Sequence, residues 1–182
     1  SSDSEVINIT PNLEVLKTYF KKNDYVKKGE LVAELEIDDL KTSLDKADLN
    51  LEQLKRDLED LNSTSSDSER LLLVNAVEKA KSSSNTLERD LKKAKDDLET
   101  SKILLDSDAI SQNEYQAQIY VVENLQSNLN NAEITYEDAH LNLSNYNSNQ
   151  DNAADKLKLQ IEALELDIIS IEKSISERNI YA

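Results

Sequence analysis

Two long stretches of this 182-residue chain carry hydrophobic patterns that mirror each other about a point near Ala109. Leu40, Leu44, Ala47, Leu51, Leu54, Leu58 and Leu61 step by four and three residues, the a/d spacing of a coiled-coil seam. Leu157, Ile161, Leu164, Ile168, Ile171 and Ile175 repeat that step near the other end. If the chain reverses at Ala109, Leu61 falls opposite Leu157, Leu54 opposite Leu164, and Leu44 opposite Ile175. Nearer the reversal the sizes are complementary, with Ala94 facing Leu125, Leu87 facing Ala132 and Ser84 facing Tyr136, and Leu91 is expected near Leu129. The expected fold class is therefore mainly α: a long antiparallel two-helix coiled-coil hairpin with a small β segment at its base. Arms of about 70 residues, at about 1.5 Å per residue, would reach roughly 105 Å.

Composition excludes several classes of function. One Gly, one Pro and no Trp leave little material for a compact α/β enzyme with tight turns and a lined pocket. A net charge of -16 argues against a nucleic-acid surface, which needs clustered Lys and Arg, and against long arms lying along an anionic membrane. The absence of cysteine removes disulfides and thiolate metal sites and fits an exported protein. No apolar run reaches membrane-spanning length and no signal peptide is visible, so the sequence reads as a soluble fragment of a longer protein.

Organisation follows the change of texture along the chain. Residues 5–37 read as short strands: Val6, Ile7, Ile9, Val15, Leu16, Tyr19, Phe20, Tyr25, Val26, Leu31, Val32 and Leu35 lie here, with the only Pro (Pro11) and the only Gly (Gly29). Asn23-Asp24 suits a tight turn, and Asp38 or Asp39 an N-cap for the first long helix. The helical region is expected over 38–178, its tip near 106–111, with polar joints near 62–69 and 144–152. Ser66 with Glu69 offers a capping box for a restart after the first joint, and a four-residue stutter through Gln150 and Ala154 carries the seam past the second. Between joints and tip the seam reads Leu73, Val77, Ala80, Ser84, Leu87, Leu91, Ala94, Leu98 and Leu105 outward. It returns through Tyr115, Val122, Leu125, Leu129, Ala132, Tyr136, Ala139, Leu143 and Tyr146. At the tip, Ser107-Asp108 can take a left-handed or bridge conformation, Ser111 to Glu114 is a capping box, and Ile110 can staple onto Tyr115.

Nothing in the residues suggests catalysis. His140 is the sole histidine, with no cysteine or nucleophile partner, and reads as an exposed helical residue. Asp57 with Glu59 and Asp60, and Asp96 with Asp97, lack the loop geometry of a calcium site and read as solvated flanks. No metal or cofactor is expected. Lys17, Lys21, Lys22, Lys27 and Lys28 form a basic cluster in an acidic chain, open to three readings: lipid headgroups, an acidic partner or plain solvent. Leu71, Leu72, Val74, Ile103 and Val121 fall off the seam and are candidates for contacts between protomers.

Residues Asn23 to Leu35, N-D-Y-V-K-K-G-E-L-V-A-E-L, resemble the first half of the lipoyl-like domain of bacterial membrane fusion proteins, the periplasmic adaptor family of HlyD and MacA type. There a G-D-x-V-x-K-G-x-x-L-x-x-L stretch runs straight into a long helical hairpin. Asp108 to Tyr115 is similar to the family's G-A-I-S-x-x-E-[YF] tip, and Asn179 to Ala182 resembles the start of the second lipoyl half. Asn23 and Asp108 stand where the family has Gly. The resemblance implies a non-enzymatic adaptor for an ABC-type exporter, working in efflux or secretion. It would lie outside the cytoplasmic membrane, be anchored to that membrane in the full-length protein, and assemble with other copies into a ring or tube. It also implies that 5–37 is the first lipoyl-like half, that 179–182 begins the second, and that Leu104, Asp108, Ile110 and Ser111 form a partner-docking tip. Relatives that dock onto a TolC-type outer channel carry R-x-x-x-L-x-x-x-x-x-x-S. Leu104 and Ser111 fill the last two places, but Thr100 replaces the Arg, which counts against such a channel. The Asn-, Lys-, Ser- and Ile-rich usage points to the cell surface of a Gram-positive bacterium. The rival readings are a structural coiled-coil tether and a helical-hairpin adhesin or toxin stalk. With the second half-domain missing, residues 5–36 are expected to be poorly ordered or completed by another copy.

Overall fold

A computed structural model describes residues 13–182, without the side chains of Thr64 and Ser65. The strand expectations at Val6, Ile7 and Ile9 and the turn at Pro11 lie outside the described residues. The elements are β1 (Val15–Thr18), β2 (Leu31–Leu35), α1 (Asp38–Leu61), α2 (Thr64–Asp106), α3 (Gln112–Ser176) and β3 (Asn179–Tyr181). The fold is mainly helical with one small antiparallel sheet. It divides into two compact units: the residues up to Asp60 together with Ala154–Ala182, and Leu61–Ala153.

In the first unit β2 is the central strand of a three-stranded sheet ordered β1-β2-β3. It pairs antiparallel with β1 (Val15 with Leu35, Thr18 with Ala33) and with β3 (Leu31 with Tyr181, Glu34 with Asn179). The expectation that strands in this region stay open or borrow another copy is corrected for β2, whose second edge is covered by β3 of the same chain. The returning helix delivers Arg178 to the start of the outgoing one, where its carbonyl accepts the Leu35 N–H at 2.9 Å. Two residues in left-handed conformation shape the β1–β2 connection. Asn23 (φ 77) sits in a turn where Asp24 N–H donates to the Lys21 carbonyl and Lys21 N–H to Asp24 Oδ2. Gly29 (φ 88) sits in a second turn, closed by Glu30 N–H on the Lys27 carbonyl and Lys27 N–H on Glu30 Oε2. Gly29 N–H also donates to the Ala182 carbonyl at 2.8 Å, so the second turn is held by the end of the chain.

The start of α1 differs from expectation. Asp38 and Asp39 both lie in its first turn, where acidic groups suit the helix dipole, and the orphan N–H groups of Ile37 and Asp38 donate instead to Glu36 Oε1. Along α1 every seam residue from Leu40 to Leu61 is half-buried and nearly every flanking residue is exposed. Ile161 and Ile168 of α3 are buried, as are Ala33, Leu35 and Ile37, and together they make this unit's apolar set. Lys55 Nζ meets Glu165 at 3.0 Å, two residues from Ala163, the position that reflection about Ala109 assigns.

In the second unit α2 and the first part of α3 bury Ala80, Leu91, Ala94 and Leu129, all of them expected seam positions. Lys95 Nζ reaches Gln126 Oε1 across the pair at 3.4 Å, three residues from the reflected position. The first joint is shorter than 62–69. Only Asn62 and Ser63 leave the helix, Ser63 takes an extended conformation (φ -78, ψ 165), and α2 restarts at Thr64. The Ser66–Glu69 capping box does not form because Ser66 is already inside the helix, its hydroxyl 3.1 Å from that of Tyr146. The second expected joint, 144–152, is also corrected: α3 is unbroken from Gln112 to Ser176. The stutter keeps Tyr146, Gln150 and Ala154 on the inward face, so the packed stripe continues and outweighs the few tenths of a kcal/mol that each Asn or Ser costs in a helix.

Candidate functional site

The tip is built entirely from local chemistry. Ser107 (φ -95, ψ 10) ends α2, and its N–H and that of Ala109 donate to the carbonyls of Ile103 and Leu104. Asp108 supplies the left-handed step (φ 57) that glycine would take more readily. Ser111 N–H and hydroxyl both donate to Glu114 Oε2, at 2.7 and 2.8 Å, while Glu114 N–H donates back to Ser111 Oγ at 3.2 Å. This reciprocal box starts α3. The Ser111 backbone N–H, and then its hydroxyl, hold the Glu114 carboxyl below the usual carboxylate range. Leu104, Asp108, Ile110 and Ser111 are thereby held within one tight reversal: Leu104, Asp108 and Ser111 exposed, Ile110 half-buried. Thr100 is exposed, its hydroxyl bonded to the Asp96 carbonyl one turn back.

Of the off-seam apolar residues singled out from sequence, Leu71, Leu72, Ile103 and Val121 are exposed, whereas Val74 is half-buried and turns toward the seam side. A second set escaped that reading. Tyr120, Ile134 and Leu141 are exposed on α3 in the second unit, seven or fourteen residues apart. Leu159, Leu166 and Ile169 are exposed on α3 in the first unit, spaced by seven and three. These rows run parallel to the seam at heptad spacing. A search for a second period-seven stripe would have found them.

Beside the break, Leu61, Asn62, Ser66, Arg70, Tyr146 and Gln150 help line a polar cleft of ≈ 400 Å³ within the second unit. Tyr146 hydroxyl donates to the Ser66 carbonyl at 2.9 Å, and Arg70 Nε to Asn147 Oδ1 at 3.3 Å. These bonds tie the first turn of α2 to α3. His140 rests against Tyr136 with ring centroids 6.3 Å apart. Among the described residues no three acidic or histidine side chains converge as metal ligands. Asp97 is engaged by Lys93 at 2.8 Å, as a solvated flank would be.

The basic cluster lies at one end of the sheet. Both long helices join the other end, through Glu36–Ile37 and Glu177–Arg178. The β1–β2 connection, with Lys21, Lys22, Lys27 and Lys28, occupies the far end beside Tyr181 and Ala182. Lys17 Nζ stands 4.6 Å over the Tyr19 ring.

No helix among the described residues is long and apolar enough to cross a membrane. No family model matches the chain. No curated protein matches it either. Among solved structures it is similar to the periplasmic adaptor protein EmrA, at 18% identity and a TM-score of 0.45, over 93% of this chain and 60% of that one. The chain thus spans less than two thirds of that neighbour's length.

Proposed function

We propose that this chain is the hairpin-bearing part of a non-enzymatic membrane fusion adaptor, serving an ABC-type exporter outside the cytoplasmic membrane. The observation that supports it best is the connectivity of the sheet. β1 and β2 precede the helices, β3 follows them, and β2 pairs with strands from both sides. A hairpin inserted into a small β domain is what the resemblance to the lipoyl-like halves calls for, and neither a filament tether nor an adhesin stalk requires it. On this reading 5–37 belongs to the first half-domain, 38–178 is the hairpin and 179–182 opens the second half. Leu104, Asp108, Ile110 and Ser111 dock a partner at the tip, and Thr100 in place of the arginine counts against a TolC-type channel as that partner. The exposed rows on α3, with Leu71, Leu72 and Ile103 on α2, provide surface for self-association into a ring or tube. The full-length protein is anchored to the cytoplasmic membrane at the surface of a Gram-positive cell.

Affinity purification of the full-length protein from its native host tests this reading. Copurification of the membrane subunit of an ABC exporter is expected, together with loss of export when residues 38–178 are deleted at unchanged transporter level. A photo-crosslinking residue at Leu72 or Leu141 is expected to capture a second copy. Capture of an extracellular ligand by the tip, with no exporter subunit retained, would contradict it.

A further inference from the structure

The sheet end remote from the helices has a chemistry unlike the rest of the chain. Residues 17–28 hold five of the 21 basic residues and only one of the 37 acidic ones. Two lysine pairs, Lys21-Lys22 and Lys27-Lys28, flank Tyr25, which at 86% is the most exposed large hydrophobic side chain among the described residues. All of these lysines are exposed, and none is in an ion pair among the described residues. The acids beside them, Asp24 and Glu30, have a carboxylate oxygen bonded to the backbone N–H of Lys21 and Lys27, so they serve the turns and leave the ammonium groups facing outward.

We propose that this end of the sheet docks onto an anionic lipid surface, with Tyr25 entering the headgroup layer and the two lysine pairs neutralising phosphates around it. A phenol ring is apolar along its body and polar at its tip, which suits the interface between headgroups and acyl chains. Lysines on flexible stems give a diffuse attraction to a fluid layer of negative charge. Residues 13–37 contain no arginine, whose planar fork suits carboxylates held in a fixed geometry, so this end offers only mobile point charges. Charge decides the orientation. With 28 of the 37 acidic residues on the three helices, an anionic membrane attracts this end and repels the helices. The two helices leave from the opposite end of the sheet, so contact at the lysine turns does not require the acidic flanks of α1 to approach the lipid. The inference stands on residues 13–37 and 179–182 and does not depend on the exporter reading.

Flotation of the full chain with phosphatidylcholine vesicles, and with vesicles containing about one third phosphatidylglycerol, tests it. Each lysine close to an anionic surface changes partitioning by about fivefold. Wild-type chain is expected to float only with the anionic vesicles and to release as salt rises. The K21Q/K22Q/K27Q/K28Q variant should lose at least about tenfold in binding, with its helical circular dichroism unchanged. Tyr25→Ser alone should weaken binding while keeping its salt dependence. No binding to anionic vesicles, equal binding to neutral ones, or full binding by the four-lysine variant would overturn the proposal. So would salt-sensitive self-association that the four lysine substitutions abolish while vesicles are ignored, which would make the acidic helices of a second copy the occupant.

Discussion

Asp108 holds φ 57 at the reversal without a glycine, and Ser111 and Glu114 restart the helix three residues later. A β-branched residue tolerates the left-handed region poorly, so Asp108→Val should cost about 1–2 kcal/mol in urea unfolding, while Asp108→Gly should be neutral or mildly stabilising. Ser111→Ala removes an N-cap and should cost about 1 kcal/mol. Glu114 adds a pH dependence. Its folded carboxyl titrates below the unfolded one, so its contribution is complete above the unfolded value and disappears as pH falls through the folded value. Acidification should therefore loosen the start of α3 in wild type, read as faster amide exchange at Asn113 to Tyr115, and Glu114→Gln should flatten that dependence. The tip was legible because each of its features is a local one. The far end of the sheet was legible only in part: Asn23 and Gly29 announce turns, but Tyr25 between them carries no sequence signal of its exposure.

At the scale of elements, the seams were readable because burial follows the heptad so closely. Leu91 and Leu129, both expected seam positions, are 5% and 7% exposed. Leu91→Ala or Leu129→Ala should each cost about 2–4 kcal/mol in equilibrium unfolding, at the lower end of core truncations if the thin interface collapses around the gap. Leu72→Ser, on an exposed face, should cost under about 0.5 kcal/mol in dilute solution. The joints were less readable. Residues 62–68 and 144–152 have nearly the same polar, weakly helix-forming composition, yet only Asn62 and Ser63 leave the helix. What separates them is the inward stripe, which Tyr146, Gln150 and Ala154 sustain and which Asn62-Ser63 cannot. Exchange should accordingly be fast at Asn62 to Asp67 and slow at both Leu87 to Leu98 and Ser144 to Asn152. Tyr146→Phe removes the donor to the Ser66 carbonyl and should speed exchange in the first turn of α2, at a cost of about 1 kcal/mol.

At the scale of the whole chain, the sheet joins residues more than 140 positions apart, as with Leu31 and Tyr181. Three residues, Asn179-Ile180-Tyr181, carry too little pattern to announce a strand. Their pairing is decided by where α3 ends, and so by the mirror register of the helices. That explains why β2 was expected to lack a partner and has one. The account rests on a single chain folding back on itself, and cysteine cross-linking tests that directly in a protein without native cysteines. Cysteines at Lys55 and Glu165, and in a second variant at Lys95 and Gln126, replace pairs whose side chains already meet between the outgoing and returning helices. Treatment with a short bismaleimide, which spans the reach of the long side chains it replaces, should at high dilution give an intramolecular cross-link and a monomer in both variants. Cross-linked dimers in place of closed monomers would mean that the helices pair between chains, and would contradict the hairpin on which the sheet, the tip and the proposed function all depend.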